Sequence, residues 1–287
     1  MATVQDVTPK FNRQYSYLVN KLREHFLAHG FVETHPQSIL SILAACEDPN
    51  TIAMFKYLGK QFPLPQTGQM NLEHFLLTDP DSKGMFCVTT SYREEKTPVQ
   101  GRHDFIFPMF EWELHGKLED LIRIETDLLT YLGYTPKDDG TFPRITYANA
   151  CKLYGVDTLE HEHELFLERD FGPVVFLTNF PEHTSPFWNM ARGDDGTALK
   201  VDVIISGIET FGSAQRCTDV EAMKKRFHEI SEGQYAETLY GLFGKERVTA
   251  ELDNFLALPM IHRCGGGMGI KRLMKSMDAL GLFPEDL

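Results

Sequence analysis

The chain has 287 residues, a formal net charge of −13 at pH 7, 42% hydrophobic residues and 24% charged residues. This composition is ordinary for a globular protein, and the acidic balance without a long basic run disfavours a protein whose main task is to grip nucleic acid. Five widely spaced cysteines without a Cys-x-x-Cys pair argue against a disulfide framework and against a structural zinc site.

Targeting signals are also missing from the sequence. No apolar run approaches the roughly 18 residues that a membrane-spanning helix needs, and the N-terminus lacks the apolar core of a signal peptide. We therefore expect a cytoplasmic location and no membrane contact.

The first quarter of the chain predicts a helix, a strand and a second helix. Residues 11–30 carry apolar side chains at helical spacing and end at Gly30, a good helix stop. A strand follows, broken at Pro36, which by itself reads as an ordinary turn proline. Residues 61–79 begin with prolines and glycine and become helical from Met70. Three polar residues surround this loop-to-helix turn and, taken alone, look like helix caps: Thr67, Gln69 and Glu73.

Residues 89–113 predict an antiparallel hairpin with a long loop, because two β-branched or aromatic runs flank a segment with Gly and Pro. Arg93 and Glu95 precede the loop, whereas Arg102, His103 and Phe107 follow it. Guanidinium groups suit phosphate and an aromatic face suits a base, so the hairpin fits a nucleotide site. A plain sheet hairpin with solvated charges fits the same residues equally well.

Further along, residues 117–133 predict an amphipathic helix and residues 173–181 a buried strand. Between them, the acid and histidine run 160–164 resembles a metal tract, although a solvated helix face accounts for it better because nothing nearby completes a ligand set. Residues 201–216 predict two strands about Gly207.

Asp202 and Glu209 lie on these two strands, seven positions apart. That odd spacing places them on opposite faces of one strand unless a bend or bulge at residues 206–207 brings them together. Together they would hold a divalent metal with a triphosphate, and apart they would be edge charges.

The last motif is a glycine cluster that runs into a helix. After a capping box at residues 218–221 and further helices to about residue 257, residues 263–277 place four glycines ahead of Arg272. Glycines permit close backbone approach, and a helix N-terminus favours anions. By itself, such a loop is weak support for a phosphate site.

Taken in order, these motifs resemble the catalytic core of class II aminoacyl-tRNA synthetases, and closely the aspartyl/asparaginyl subgroup, over residues 11–277. The resemblance implies an α+β fold, an antiparallel sheet flanked by helices, in a single catalytic domain spanning residues 1–287. It also implies a homodimer formed through the first motif, which ends at Pro36. Members of this subgroup normally begin with an anticodon-binding β-barrel of the OB type, which this sequence does not show.

The same resemblance assigns roles to individual residues. ATP and magnesium are the implied cofactors, with Asp202 and Glu209 as the metal ligands. Arg93 and Arg272 are the implied catalytic residues. The implied ATP-binding residues are Arg93, Glu95, Arg102, His103, Phe107, Asp202, Glu209 and Arg272. The implied amino-acid-binding residues are Gln69, Glu73, Arg93 and Arg216.

The residues at positions 72 and 73 bear on whether the substrate is aspartate or asparagine. Aspartyl members of the subgroup usually carry a lysine three residues after the glutamine, where this chain has Leu72. Glu73 matches the asparaginyl version, in which a glutamate accepts a hydrogen bond from the substrate's side-chain amide. A carboxylate accepts from an amide but repels a carboxylate, so the pocket is expected to be more asparaginyl than aspartyl.

Three functions follow from the resemblance. The first is an asparagine synthetase that converts aspartate, ammonia and ATP to asparagine, AMP and pyrophosphate. The second is an enzyme that activates asparagine and transfers it to a non-tRNA or tRNA acceptor; without the barrel, anticodon-specific tRNA binding is not expected. The third is a silent sensor of amino acid or nucleotide, ranked last because the motif arginines are present. Lys271 stands where the subgroup often has an acidic or small residue; it is expected either to contact phosphate or, as is more common for a helix lysine, to face solvent.

Overall fold

The protein is described here by a computed structural model, which covers residues 8–36, 39–42, 49–96 and 104–287. The helices within these ranges are α1 (Pro9–Ala28), α2 (Gln69–Thr78), α3 (Leu118–Tyr131), α4 (Tyr147–Tyr154), α5 (His161–Phe171), α6 (Val220–Glu229), α7 (Gln234–Phe243), α8 (Lys245–Leu256) and α9 (Ile270–Ala279). The strands are β1 (Val32–Glu33), β2 (Met54–Tyr57), β3 (Lys60–Pro63), β4 (Gly84–Tyr92), β5 (Ile106–His115), β6 (Arg144–Thr146), β7 (Val174–Phe180), β8 (Ala198–Ile205), β9 (Ile208–Gln215) and β10 (Arg263–Gly269).

The described strands form one large mixed sheet in the order β1-β4-β5-β10-β9-β8-β7-β6, with β2 and β3 as a separate hairpin. The centre, from β4 to β8, is antiparallel, but β1 runs parallel to β4 and β6 runs parallel to β7. The expectation of an antiparallel sheet is therefore wrong at both edges. Parallel neighbours need a long crossover, and here the chain from β1 to β4 includes α2, while that from β6 to β7 includes α4 and α5.

One face of the sheet carries the main hydrophobic core. α1, α3 and α9 cover it, and Phe26 packs against the fully buried Phe110 and Trp112 of β5. α1 forms where the sequence predicts it, because Thr8 caps its start by accepting from the Phe11 N–H and Pro9 occupies its first turn. This core packs against one face of β5 and β10. Because side chains alternate along a strand, the other residues of these strands point to the opposite face.

The opposite face is covered only in part. α2 lies near β4 and β5, a second apolar cluster joins α6, α7 and α8, and a third joins α4 and α5 to β7. The middle of the sheet is left open between these helices. Among the described residues, no helix is both long and apolar enough to cross a membrane.

The hairpin of β8 and β9 determines on which face of the sheet Asp202 and Glu209 lie. Ser206 and Gly207, with φ of 50° and 70°, form the tight turn. The register shifts between the pairs Val203–Phe211 and Ile204–Glu209, so Thr210 is the extra residue. Because directly opposed residues share a face, Glu209 lies on the face of Ile204 and hence of Asp202. The bend expected at residues 206–207 therefore brings the two acids to one face, and the extra residue at Thr210 alters only the pairing that lies beyond Glu209.

Candidate active site

A cleft of about 1540 Å³ opens on the uncovered face of the sheet. Its walls come from the loop before α2, the β4–β5 hairpin, the β8–β9 hairpin, the start of α9 and the start of α7. The sequence-predicted site residues that line it are Gln69, Arg93, Glu95, Phe107, Glu209, Arg216 and Arg272. Arg102 and His103 lie outside the described residues, so their predicted roles stay predictions.

Two arginines stand at one end of the cleft. Arg93 directly follows β4, where its N–H donates to the Phe105 carbonyl at 2.8 Å, and its guanidinium carbon lies 5.4 Å from the Phe107 ring centroid. Arg272, in the first turn of α9, donates to the Glu209 carbonyl at 2.5 Å. Two cations and an aromatic ring beside a helix N-terminus form an environment that suits a polyphosphate with a flat base.

Asp202 lies on the same face of the sheet as Glu209, but it is buried and is absent from the described residues that line the cleft. Lys200 Nζ is 2.7 Å from Asp202 Oδ2, whereas the buried Oδ1 has no hydrogen-bond partner in the described part of the chain. Burial raises the pKa of Asp202 to about 7, with Lys200 opposing the rise and the nearby Glu209 adding to it. A carboxyl group with an orphaned oxygen, and with a second carboxylate near enough to raise its pKa, would gain from a cation.

Magnesium fits this arrangement. The described residues contain no cluster of three or more His, Cys, Asp or Glu side chains able to hold a metal. Magnesium does not need one, because it usually keeps several waters and takes one or two carboxylates together with substrate phosphates. Asp202 and Glu209 would be the two protein ligands.

The acid and histidine run at residues 160–164 is more than a solvated face. It forms the first turn of α5, where His161 lines the cleft and the buried His163 caps the helix by accepting from the Glu160 N–H. Glu164 accepts from the Glu209 N–H at 2.7 Å. Glu160, His161 and Glu162 are exposed, as a solvated helix face predicts, whereas Glu164 also braces the strand that carries Glu209.

A second, deeper group of polar side chains marks the other end of the cleft. Arg216, just after β9, donates to both oxygens of Glu113, from Nε at 3.2 Å and from Nη2 at 3.1 Å. Gln69, at the start of α2, donates to Glu113 Oε2 and to the Trp112 carbonyl. Burial raises the pKa of Glu113 to about 7, against the opposing charge of Arg216.

Glu73, predicted to bind the amino acid, is buried beside the cleft, and that role stays a prediction. Its side chain is 0% exposed and is absent from the described residues that line the cleft. Arg263 donates to its Oε2 at 2.7 and 3.0 Å, and Asn189 donates to its Oε1 at 2.8 Å. The structure thus places Glu73 behind Arg216, one helical turn after Gln69, in a buried ion pair.

Two further acids were not singled out from the sequence. Glu111 and Glu113 alternate with Trp112 along β5, and this period of two puts both on the cleft face. Glu111 accepts from the hydroxyls of Thr67 and Thr89 and from the Gly68 N–H at 2.9 Å, which ties the loop before α2 to the sheet. Charges at alternate positions of an otherwise apolar strand are the signal that could have found them.

Thr67 also carries out part of the capping predicted for it, since its hydroxyl accepts from the Gln69 N–H at 3.1 Å. Lys271 differs from the more common of its two expected positions. Its side chain is only 14% exposed, lines the cleft and pairs with Asp104 at 3.3 Å, so it does not face solvent.

One more carboxyl group lies beneath the acids. Glu125 of α3 is fully buried, and neither of its oxygens has a hydrogen-bond partner among the residues that the structure describes. Burial raises its pKa to about 8, with Asp202 adding to the shift. Glu125 is therefore mostly protonated at neutral pH.

The cleft thus combines arginines, an aromatic ring, carboxylates and a glycine-rich strand on one face of a mixed sheet. The family model of class II tRNA synthetases (D, K and N) matches residues 3–280, and the chain belongs to that family. The predicted relationship is thereby confirmed, as is the enzyme class at the level of the family, whose members are AMP-forming ligases.

Individual relatives agree with the family. The chain is 28% identical to an aspartate–tRNA(Asp) ligase of Thermoplasma volcanium over 322 residues, covering 98% of this chain and 69% of that protein. It is 23% identical to an asparagine–tRNA ligase of Bacillus cereus over 295 residues, covering 80% of this chain and 63% of that protein. The chain thus spans about two thirds of the length of these relatives.

Among solved structures, the asparaginyl-tRNA synthetase of Pyrococcus horikoshii complexed with asparaginyl-adenylate has the same fold. The TM-score is 0.75 at 22% identity, with 93% of this chain and 65% of that chain covered. A putative aspartyl-tRNA synthetase from Leishmania major gives a TM-score of 0.71 at 16% identity. The class II catalytic fold expected from the sequence is confirmed.

Proposed function

We propose that this chain activates aspartate or asparagine as an adenylate, and that its leading activity is asparagine synthesis from aspartate, ammonia and ATP. The observation that carries the proposal is the polarity of the cleft. One end has Arg93, Phe107 and Arg272, which suit a nucleotide, and the other has Gln69 and Arg216, which suit an amino acid.

Adenylation requires two anions to meet. A carboxylate oxygen of the amino acid attacks the α-phosphorus of ATP, the bond to the β-phosphate oxygen breaks, and pyrophosphate leaves. Arg93 would hold the α-phosphate and the incoming carboxylate together, and Arg272 would hold the γ-phosphate. These guanidinium groups offset the repulsion between the reactants and the charge that develops in transfer. Magnesium, when bound with ATP, would supply further neutralising charge at Asp202 and Glu209.

No protein nucleophile is required for the second step. Ammonia attacks the acyl carbon of the β-aspartyl adenylate, the bond to the AMP oxygen breaks, and AMP leaves with asparagine as product. The proton that ammonia loses goes to solvent or to a basic group of the cleft. The cleft is large enough to hold a nucleotide and an amino acid together, because single ligands of drug size occupy about 300–1,000 Å³.

Pyrophosphate release from ATP and magnesium, measured with each amino acid in turn and with or without ammonium, tests the proposal. We expect aspartate to turn over only with ammonium and to yield AMP and asparagine. Release with asparagine alone would replace asparagine synthesis by the alternative, in which asparagine is activated and passed to another acceptor. Leu72, in place of the lysine usual in aspartyl members, is the residue that favours this alternative.

A silent sensor is a weaker proposal, because Arg93, Arg216 and Arg272 all line the cleft. It would be supported by the absence of turnover together with a rise in melting temperature on adding ATP or an amino acid.

We also propose a homodimer formed through the first motif. Leu27 of α1 and Val32 of β1 are 53% and 47% exposed, which leaves apolar side chains on this edge available for a partner copy. Light scattering coupled to size exclusion is expected to give twice the 32.8 kDa chain mass, and a monomer would contradict the proposal.

A further inference from the structure

We propose that Lys271 is a further binding residue for the β- and γ-phosphates of ATP, and that the entering nucleotide takes this ammonium group over from Asp104. The inference rests on the nucleotide site of the proposed function and adds to that site a cation which it does not yet use. The sequence alone is compatible with a phosphate contact and with a solvated helix face.

The packing of α9 decides where Lys271 lies. Ile270, Leu273 and Met274 of this helix are buried in the main hydrophobic core. Because positions three and four residues apart share one helix face, Lys271 and Arg272 lie beside that buried face, and both line the cleft. The Lys271 side chain is only 14% exposed, so the surrounding residues enclose most of it.

Asp104, two residues before β5, forms an ion pair with Lys271 in the wall of the cleft. Lys271 Nζ lies 3.3 Å from Asp104 Oδ2, and the Asp104 side chain is 34% exposed. Asp104 lines the cleft as Lys271 does. A polyphosphate that enters the cleft therefore meets both charges, and it is attracted by the ammonium group and repelled by the carboxylate.

A triphosphate offers Lys271 more negative charge than the single carboxylate of Asp104 does. An ammonium group is a compact charge with three donors, and phosphate oxygens accept from it as carboxylate oxygens do. Arg272, the proposed partner of the γ-phosphate, is the next residue along α9 and brings the outer phosphates within reach of Lys271. Since burial already restricts the Lys271 side chain, loss of Asp104 costs little order and removes a competing anion.

The test measures binding of AMP and of α,β-methylene-ATP by calorimetry, with magnesium and without an amino acid. AMP keeps the adenosine and the α-phosphate but lacks the two outer phosphates. Lys271→Gln should weaken the ATP analogue about tenfold or more and change AMP by less than about twofold, because the charge-assisted contact is lost only for the outer phosphates. Asp104→Asn should tighten the analogue about two- to fivefold, again with less than about a twofold effect on AMP.

Lys224 and Asp253 provide a matched control pair. Their ion pair joins α6 to α8 at 2.8 Å, with side chains 46% and 50% exposed, and neither belongs to the described residues that line the cleft. Lys224→Gln and Asp253→Asn should bind both nucleotides as the wild type does. Thermal unfolding of all four variants separates the loss of a contact from the loss of the fold.

The opposite signs of the two cleft variants decide between a phosphate contact and a structural ion pair. A structural pair predicts that Lys271→Gln and Asp104→Asn both lower Tm and weaken both nucleotides alike, and that result would overturn the proposal. Weaker binding of the analogue in Asp104→Asn would overturn the exchange of partners. A wild type that binds neither nucleotide refutes the nucleotide site and the role of Lys271 with it, whereas an unchanged affinity of Lys271→Gln for the analogue refutes the role of Lys271 alone.

Discussion

Replacing Gly265 of β10 by alanine is predicted to destabilise the fold, because backbone atoms of the neighbouring strand occupy the space that a Cβ atom would need. A Cβ atom there would lie 2.1 Å from Glu113 Oε2, 2.2 Å from the Trp112 carbonyl oxygen and 2.8 Å from the Glu113 Cα. The last two atoms belong to the backbone of β5, so relief requires β10 to move away from its neighbour. The same shift would push the Glu113 carboxylate out of its pair with Arg216.

Gly269 provides a matched control at the end of the same strand. A Cβ there would meet only Arg272 side-chain atoms at 3.6–3.9 Å, which is ordinary contact, and its φ of −76° suits alanine. Overpacking of a close-packed interior costs about 1–3 kcal/mol, and clashes with backbone lie at the upper end. At about 2–4 °C per kcal/mol for a chain of this size class, Gly265→Ala should lower Tm by about 6–12 °C.

Thermal unfolding followed by circular dichroism measures both variants under the same conditions. Gly269→Ala should stay within about 2 °C of the wild type. If Gly265→Ala unfolds at the same temperature as Gly269→Ala, the glycine does not serve close strand approach, and the reasoning from packing is refuted.

Three other changes test the electrostatics of the cleft. The pKa of Glu125 is about 8 in the fold and near 4.5 when unfolded, so its contribution to stability is full below about pH 4.5 and is lost as pH rises toward 8. Glu125→Gln should therefore flatten the fall in urea-unfolding free energy between pH 5.5 and 8.5, and unchanged slopes would contradict this. Arg272→Ala should reduce amino-acid-dependent pyrophosphate exchange about 10²-fold or more at unchanged Tm, whereas the exposed control Arg123→Ala should not; a loss below about fivefold would remove Arg272 from transition-state stabilisation. Asp202→Asn should raise the magnesium concentration for half-maximal exchange severalfold, and an unaltered magnesium curve would exclude Asp202 as a ligand.

Much of the local structure could be predicted because its causes are local. The periodicity of residues 11–30 and 117–133 predicted α1 and α3, and the two apolar runs around residues 96–101 predicted the β4–β5 pair. The sequence motifs also predicted that Arg93, Phe107 and Arg272 share one site, and in the structure all three line the same cleft. These residues belong to short motifs, in which the spacing along the chain already determines where each side chain lies relative to its neighbours.

What only the tertiary structure decided involves elements far apart in the chain. The tight turn at Ser206 and Gly207, which pairs Glu209 with Ile204, brought Glu209 to the face of Asp202. Glu73 and Arg263 are 190 positions apart, and no spacing rule connects them until α2 lies across the end of β10. A buried carboxyl group must either find a partner, as Glu73 does in Arg263, or be protonated, as the raised pKa of Glu125 indicates. The sequence by itself therefore determined the class of chemistry, while the packing of α2 against the sheet decided with which cation Glu73 pairs.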